Sequence, residues 1–198
     1  FNIGAVLLLY PFGNQLVKLA QITIPEHADE KEQKPDEFAI LDERFLEKPA
    51  FAMELCKNAT IKMAEEAKDA LELSLENLHI YDGKRVEKII ALEQSVDRYE
   101  DALGTYLVKL NNCDLSQSDS RTLSILLHCI GNFERISDHA VNITDSLTEM
   151  NQKDLHFSKK ALEEMEVFSK ALKDIVEATC TAFVEADLEK ARRIEPFE

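Results

Sequence analysis

Residues 84–111 read KRVEKIIALEQSVDRYEDALGTYLVKLN, and their spacing decides the fold class. Val86, Ile89/Ile90, Val96, Leu103, Tyr106/Leu107 and Leu110 recur at steps of three and four. That is one face of an α-helix, not the alternation of a strand. Glu93 and Glu100 occupy core-type positions in the same stripe, and Asp97 stands beside Val96. The stretch has no proline, and the same holds far beyond it. Between Pro49 and Pro196 lie 146 residues without proline, whose glycines are Gly83, Gly104 and Gly131. Sheet folds need turn residues far more often, so the sequence predicts an all-α fold.

The neighbouring segments carry the same period. A first helix is expected from about Ala50 to Tyr81, with Ala59, Met63, Ala67, Ala70/Leu71, Ser74 and Leu78 on one face. Asp82–Gly83 supplies a stop and turn before the second helix, Lys84 to about Asn111. Ser116, Ser118 and Asp119 are N-cap candidates for a third, about Ser118 to Asn151, with Leu123, Leu126, Ile130, Phe133, Ser137, Ala140 and Leu147 in line. A fourth should cover Leu155 to Glu185, and Ala186–Asp187 should open a fifth. Gly104 and Gly131, inside helices, are read as close-packing points. Shifted by 105 positions, Ala67, Ala70, Leu71, Leu78 and Asp82 fall on Leu172, Ile175, Val176, Phe183 and Asp187. After a three-residue deletion, Leu92-Glu93 falls on Ile194-Glu195. The echo points to a unit of about a hundred residues used twice, the second copy cut short.

The ends differ from this body. Residues 1–24, FNIGAVLLLYPFGNQLVKLAQITI, hold no acid and one base, Lys18. As a helix they would reach about 36 Å, enough for a hydrocarbon core of about 30 Å. A membrane end-segment is the leading expectation, beside a buried helix and a targeting segment; a basic start and a small-residue cleavage site are not visible. Residues 25–44 carry eight acids, three bases and two prolines, the composition of an acidic linker. The chain lacks an initiator methionine and stops at PFE within an apparent helix, so it is read as a fragment cut at both ends.

Of the 198 residues, 38 are acidic and 23 basic, a net charge of -15. Such a surface is a poor match for phosphate backbones, so no nucleic-acid partner is expected. Cys56, Cys113, Cys129 and Cys180 are scattered without a CxxC pair, which fits buried thiols in a reducing compartment. No Gly-rich phosphate loop, GxSxG or catalytic Cys/His spacing is present, and no enzymatic activity is expected.

Two ExxxD pairs stand out, Glu93/Asp97 and Glu134/Asp138. Spacing i, i+4 puts both carboxylates of a pair on one helix face. About seven such acid pairs arise by chance at this composition, and most decorate solvated faces. Two features raise these above the rest. Glu93 and Glu100 lie in an apolar stripe, and Glu134 lies in line with Leu127 and Val141. An antiparallel hairpin turning at Leu115/Ser116 would also set Glu93 against Asp138 and Asp97 against Glu134. Four converging carboxylates repel one another unless a multivalent cation holds them, and all-oxygen donors favour Mg, Mn, Ca or iron. The plainer alternative is salt bridging to Arg98, Arg135 or Lys88 with the remainder solvated. Glu76 and His79 form one ExxH, where a di-iron bundle needs two. His139, next to Asp138, is read either as a support for the ligand carboxylates or as an exposed helix residue.

NFERISDHAVNI (132–143) resembles the helix signature of PhoU-type phosphate regulators, and EQSVDRYED (93–101) resembles the facing motif. LDERFLEKPAFAM (41–53), with FNIGAVLLLYPFGNQLVKLA (1–20) before it, resembles the junction between the last membrane helix of a bacterial Na+/phosphate cotransporter and its C-terminal PhoU-like domain. The resemblance implies a membrane-helix end over 1–24, the linker 25–44, a three-helix bundle over 45–152 and the start of a second over 153–198. It implies metal ligation by Glu93, Asp97, Glu134 and Asp138, with Glu100, Asp101, Asp145 and Glu195 as outer members. The implied cofactor is a hard di- or trivalent cation such as Mg, Mn or Fe. The implied partners are the membrane-embedded transporter core of the same protein and, through it, phosphate and sodium; a homodimer is a further expectation. The implied location is the bacterial inner membrane, with the helical domain on the cytoplasmic side. An acidic interaction module without a metal site is the alternative.

Overall fold

The structure, a computed structural model, describes residues 40–194. The membrane-helix reading of 1–24, most of the linker and Glu195 lie outside the described residues. Those described form a 3₁₀ turn, Glu43–Glu47, and five helices: α1 Pro49–Asn77, α2 Gly83–Leu110, α3 Gln117–Gln152, α4 Lys159–Val184 and α5 Leu188–Ile194. The all-α expectation holds. Among the described residues no helix is long and apolar enough to cross a membrane.

The helix starts follow from side-chain caps. Asp82 accepts a hydrogen bond from the Lys84 amide at 2.9 Å to open α2, and Ser116 accepts one from Asp119 at 3.1 Å to open α3. Ser158 does the same for α4 through the Ala161 amide at 3.2 Å. Each such cap satisfies a backbone N–H that the first turn leaves without a carbonyl. Two boundaries differ from the sequence reading, and a third falls where it was expected. The first helix ends at Asn77 rather than Tyr81, where the buried Asn77 side-chain oxygen accepts the Asp82 amide at 3.1 Å and Arg85 Nη1 at 2.9 Å. The fourth begins at Lys159 rather than Leu155, behind its Ser158 cap. The fifth opens after Asp187, whose carboxylate accepts the Glu189 and Lys190 amides, so Asp187 serves α5 as Asp82 serves α2.

The core lies between α1, α2 and α3, each of which packs against the other two. From α1 come Ala52, Cys56, Ala59, Met63, Ala67, Ala70 and Leu71; from α2 Ile89, Val96, Leu103, Leu107 and Leu110; from α3 Leu123, Leu126, Ile130, Phe133 and Ala140. The alanines on α1 let its neighbours approach closely, and each fully buried leucine contributes about 1.5–3 kcal/mol. Two expected positions part company here. Gly104 and Gly131 are not close-packing points. A Cβ added at Gly131 would meet nothing within 4 Å, and one at Gly104 only the tip of Ile130 at 3.9 Å.

Helix α4 lies along α1. Cys180 Sγ contacts the Ala64 carbonyl, Lys68 pairs with Glu177 at 2.7 Å, and the rings of Phe183 and Phe133 meet edge-on at 5.3 Å. These contacts use the C-terminal half of α4. Ahead of it, Val167 and Phe168 are 73% and 66% exposed.

Candidate functional site

Val96 and Leu103 fill the packed face of helix α2, and Glu93, Asp97 and Glu100 follow its edge. Val96 is fully buried, Glu93 and Glu100 are half-buried and Asp97 is exposed. The acids read as core positions thus border the core, where their carboxylates reach solvent and the α2–α3 groove together. On α3, Ile130, Phe133 and Ser137 turn inward, which leaves Glu134 and Asp138 half-buried on the flank toward α2.

The electrostatics report which of these groups meet. Burial raises the Glu93 carboxyl above its ordinary value, and the negative charges of Asp97 and of Asp138 raise it further. For Glu134 the order is burial, the Asp138 charge, a hydrogen bond to Asp138, and then the charges of Asp97 and Glu100. Every one of these influences pushes upward. Asp138 acts on Glu93 across the groove and Asp97 acts on Glu134, as the expected antiparallel register requires. The structure therefore brings Glu93, Asp97, Glu134, Asp138 and Glu100 into one electrostatic neighbourhood spanning two helices.

Other sequence candidates stand apart from it. Asp101 and Asp145 are exposed. Glu76 pairs with Arg85 Nε at 3.6 Å, and His79 and His139 are exposed. Burial pushes the Cys56 thiol up to about 12 and the Cys180 thiol up to about 11, and raises Cys129 as well.

The donor set fits a hard cation in chemistry. It is all carboxylate, and the mutual repulsion just described is what a positive charge relieves. Among the described residues no group of three or more His, Cys, Asp or Glu stands in a metal-holding arrangement. Ligation would thus need side-chain rotation, which half-buried glutamates on a helix flank can supply.

Sequence reasoning missed the anchoring of the segment before α1. Tyr106, buried on α2, donates its hydroxyl to the Asp42 carbonyl at 3.0 Å, and Lys109 pairs with Glu43 at 2.5 Å. Phe45 and Phe51 pack edge-on at 5.2 Å, and Leu41, Phe45 and Leu46 lie against the core. The one available signal was LDERFLE itself, three apolar residues at helical spacing within an acidic run.

The PhoU domain family matches residues 60–147. That span runs from the middle of α1 to the end of α3 and contains both ExxxD pairs. No curated protein and no solved structure shows a significant match to the chain. Residues 60–147 are accordingly a PhoU-like helical domain, the coarse part of the resemblance seen in the sequence.

Proposed function

We propose that this chain joins the end of a transporter's last membrane helix to a PhoU-like domain that regulates sodium-coupled phosphate uptake, on the cytoplasmic side of a bacterial inner membrane. Glu93, Asp97, Glu134 and Asp138 hold a hard cation such as Mg, Mn or Fe, with Glu100 as the nearest outer carboxylate. The single observation behind this reading is the reciprocal influence of Asp138 on Glu93 and of Asp97 on Glu134. When bound, the cation supplies positive charge between α2 and α3 and no reaction step. The residues do the rest: Glu93 and Asp97 hold α2, Glu134 and Asp138 hold α3, and the relief of their repulsion brings the two helices together. The apolar segment 1–24 and the acidic linker support attachment to the membrane-embedded core, where phosphate and sodium would be handled.

The test is the metal content and melting temperature of the full 198-residue chain in detergent, before and after EDTA. A stoichiometric hard metal whose removal lowers the melting temperature is the expected result. Asp97→Asn with Asp138→Asn should abolish that difference. A metal response unchanged in the double variant would defeat the assignment.

A second reading is an interaction module with no metal site. The exposed Val167 and Phe168, adjacent on α4, favour it, since together they offer apolar surface that a partner would cover. It predicts stability that responds to partner concentration, including a second copy of the chain, and not to chelators.

A further inference from the structure

Helix α3 reverses into α4 without glycine or proline. Residues 132–195 contain neither, and Asp154 takes φ 54°, the left-handed conformation that glycine usually supplies at a helix end. It does so while the Leu155 amide reaches back to the Met150 carbonyl at 2.9 Å. With Asp154 in the right-handed region instead, α3, the segment 153–158 and α4 could run on as one helix. Helix α4 is also lightly held. It lies antiparallel to α1, with Lys68 on Glu177 and Ala64 on Cys180, and the residues it buries are Ser169, Val176, Cys180 and Ala182. Continued along both helices, that register sets Val167 and Phe168 level with Leu78 and Asn77. The Tyr81 hydroxyl donates to Thr148 Oγ1 at 3.3 Å and ties the α1–α2 turn to the end of α3. Ile80, Leu155, Val167 and Phe168, each more than half exposed, therefore gather at one end of the bundle. Segments 78–88 and 150–160 at this end hold six Lys or Arg and three Asp or Glu, against 23 and 38 in the whole chain. Two copies of a chain with net charge -15 repel each other, and this end opposes their approach least.

We propose that two copies of this chain exchange α4 and α5 through a hinge at 153–158. The hinge straightens, α4 leaves its own α1, and it seats on the α1 of a second copy turned end to end. A two-fold axis across the hinge keeps α4 antiparallel to the α1 it joins. The Lys68–Glu177, Ala64–Cys180 and Phe133–Phe183 contacts therefore re-form between chains as they stand within one. Two things are gained. Asp154 gives up its left-handed conformation, and the two apolar ends meet, so that Ile80 and Leu155 of each copy are covered. The freedom lost on association opposes both, so the exchanged dimer forms at high protein concentration and the closed monomer at low. The proposal gives the second reading above a definite partner and does not depend on the cation.

Unlabelled and 15N-labelled full chains are concentrated together in detergent and EDTA, warmed, cooled and separated by size. A carbodiimide then joins Lys68 to Glu177, and mass spectrometry reads whether the joined peptides carry one isotope or two. The expected result is a dimer that grows with protein concentration, its Lys68–Glu177 links mixing isotopes at the statistical share, while monomer links carry a single isotope. Asp154→Gly should lower the dimer association constant by about tenfold or more, since glycine eases the reversal and weakens a continuous helix. Asp154→Ala should raise it by a similar factor of about ten, since alanine favours the helix and resists the reversal. A dimer whose links all carry a single isotope would overturn the exchange and leave the second reading intact as a plain surface contact between copies. A chain that stays monomeric at every concentration would overturn it as well and leave that reading a partner of another kind. Equal amounts of dimer in the two Asp154 variants would show that the hinge does not set the balance, and the proposal would fall.

Discussion

Glu93 and Glu134 are the residues whose environment most departs from that of an ordinary surface acid. Their native carboxyls lie above the ordinary 4.5, first because the groove desolvates them and then because Asp97 and Asp138 stand close. The native state thus binds protons that the unfolded chain does not. The stability these protons bring is fully present below pH 4.5 and is lost as pH rises through the raised native values. In EDTA the melting temperature should therefore gain from these two groups as pH falls through their raised native values toward 4.5. Glu93→Gln/Glu134→Gln should flatten this gain and melt about 2–4 °C higher than the unmodified chain at pH 7. Parallel pH profiles for the two proteins would mean that the four acids do not share a field. Convergence was legible in the sequence because i, i+4 spacing and hairpin register are geometric. Depth was not. Periodicity places Glu93 and Val96 on the same stripe, and only the azimuth of α3 decides that Val96 goes inside and Glu93 to the rim.

Among the elements, α4 has the least conventional ending. Ala186 takes φ 53°, the left-handed conformation that costs an L-residue about 1–2 kcal/mol and glycine almost nothing. It does so to let the Asp187 amide reach back to the Ala182 carbonyl at 3.0 Å, before Asp187 caps α5. Ala186→Gly should therefore stabilise the chain by about 1 kcal/mol in urea unfolding, whereas Ala186→Val should destabilise it by more. A loss of stability on glycine substitution would argue that the α4–α5 corner has another conformation in solution. The same corner explains where sequence reading fell short. Helix interiors announce themselves through their apolar stripes: that of α3 matches its buried residues except Thr144, on α2 Val86 and Ile90 stay outside while Tyr99 goes in, and α1 buries Ala52, Cys56, Thr60 and others beyond its stripe. Helix ends announce themselves through glycine and proline, and here the reversals at Asp154 and Ala186 use neither. The Tyr106–Asp42 link was equally hidden, because a side chain bonding to a carbonyl 64 residues away leaves no mark on local pattern.

Taken whole, residues 40–194 divide unevenly in how well they are held. Helices α1, α2 and α3 share one continuous core, and the buried side chains of α2 include Ile89, Val96, Leu103, Leu107 and Leu110 without measurable exposure. Helix α4 buries Ser169, Val176, Cys180 and Ala182, each retaining a little exposure, and leaves Val167 and Phe168 in solvent. Its ion pair to α1 is Lys68–Glu177, with one partner more than half exposed, a contact of at most about 1 kcal/mol beside the Cys180 and Phe183 contacts. Opening free energy follows buried apolar contact, so α4 and α5 should open as a unit well before the three-helix core. Hydrogen exchange under native conditions should show α4 amides exchanging through an opening that costs less than global unfolding, with those of Met63, Val96 and Ile130 tracking the global value. Lys68→Ala should speed the α4 amides by up to about fivefold and leave the core amides unchanged. Should α4 and α1 amides share a single opening free energy, all four long helices would form one cooperative unit. A boundary near residue 152 would then be a feature of the sequence pattern with no energetic counterpart.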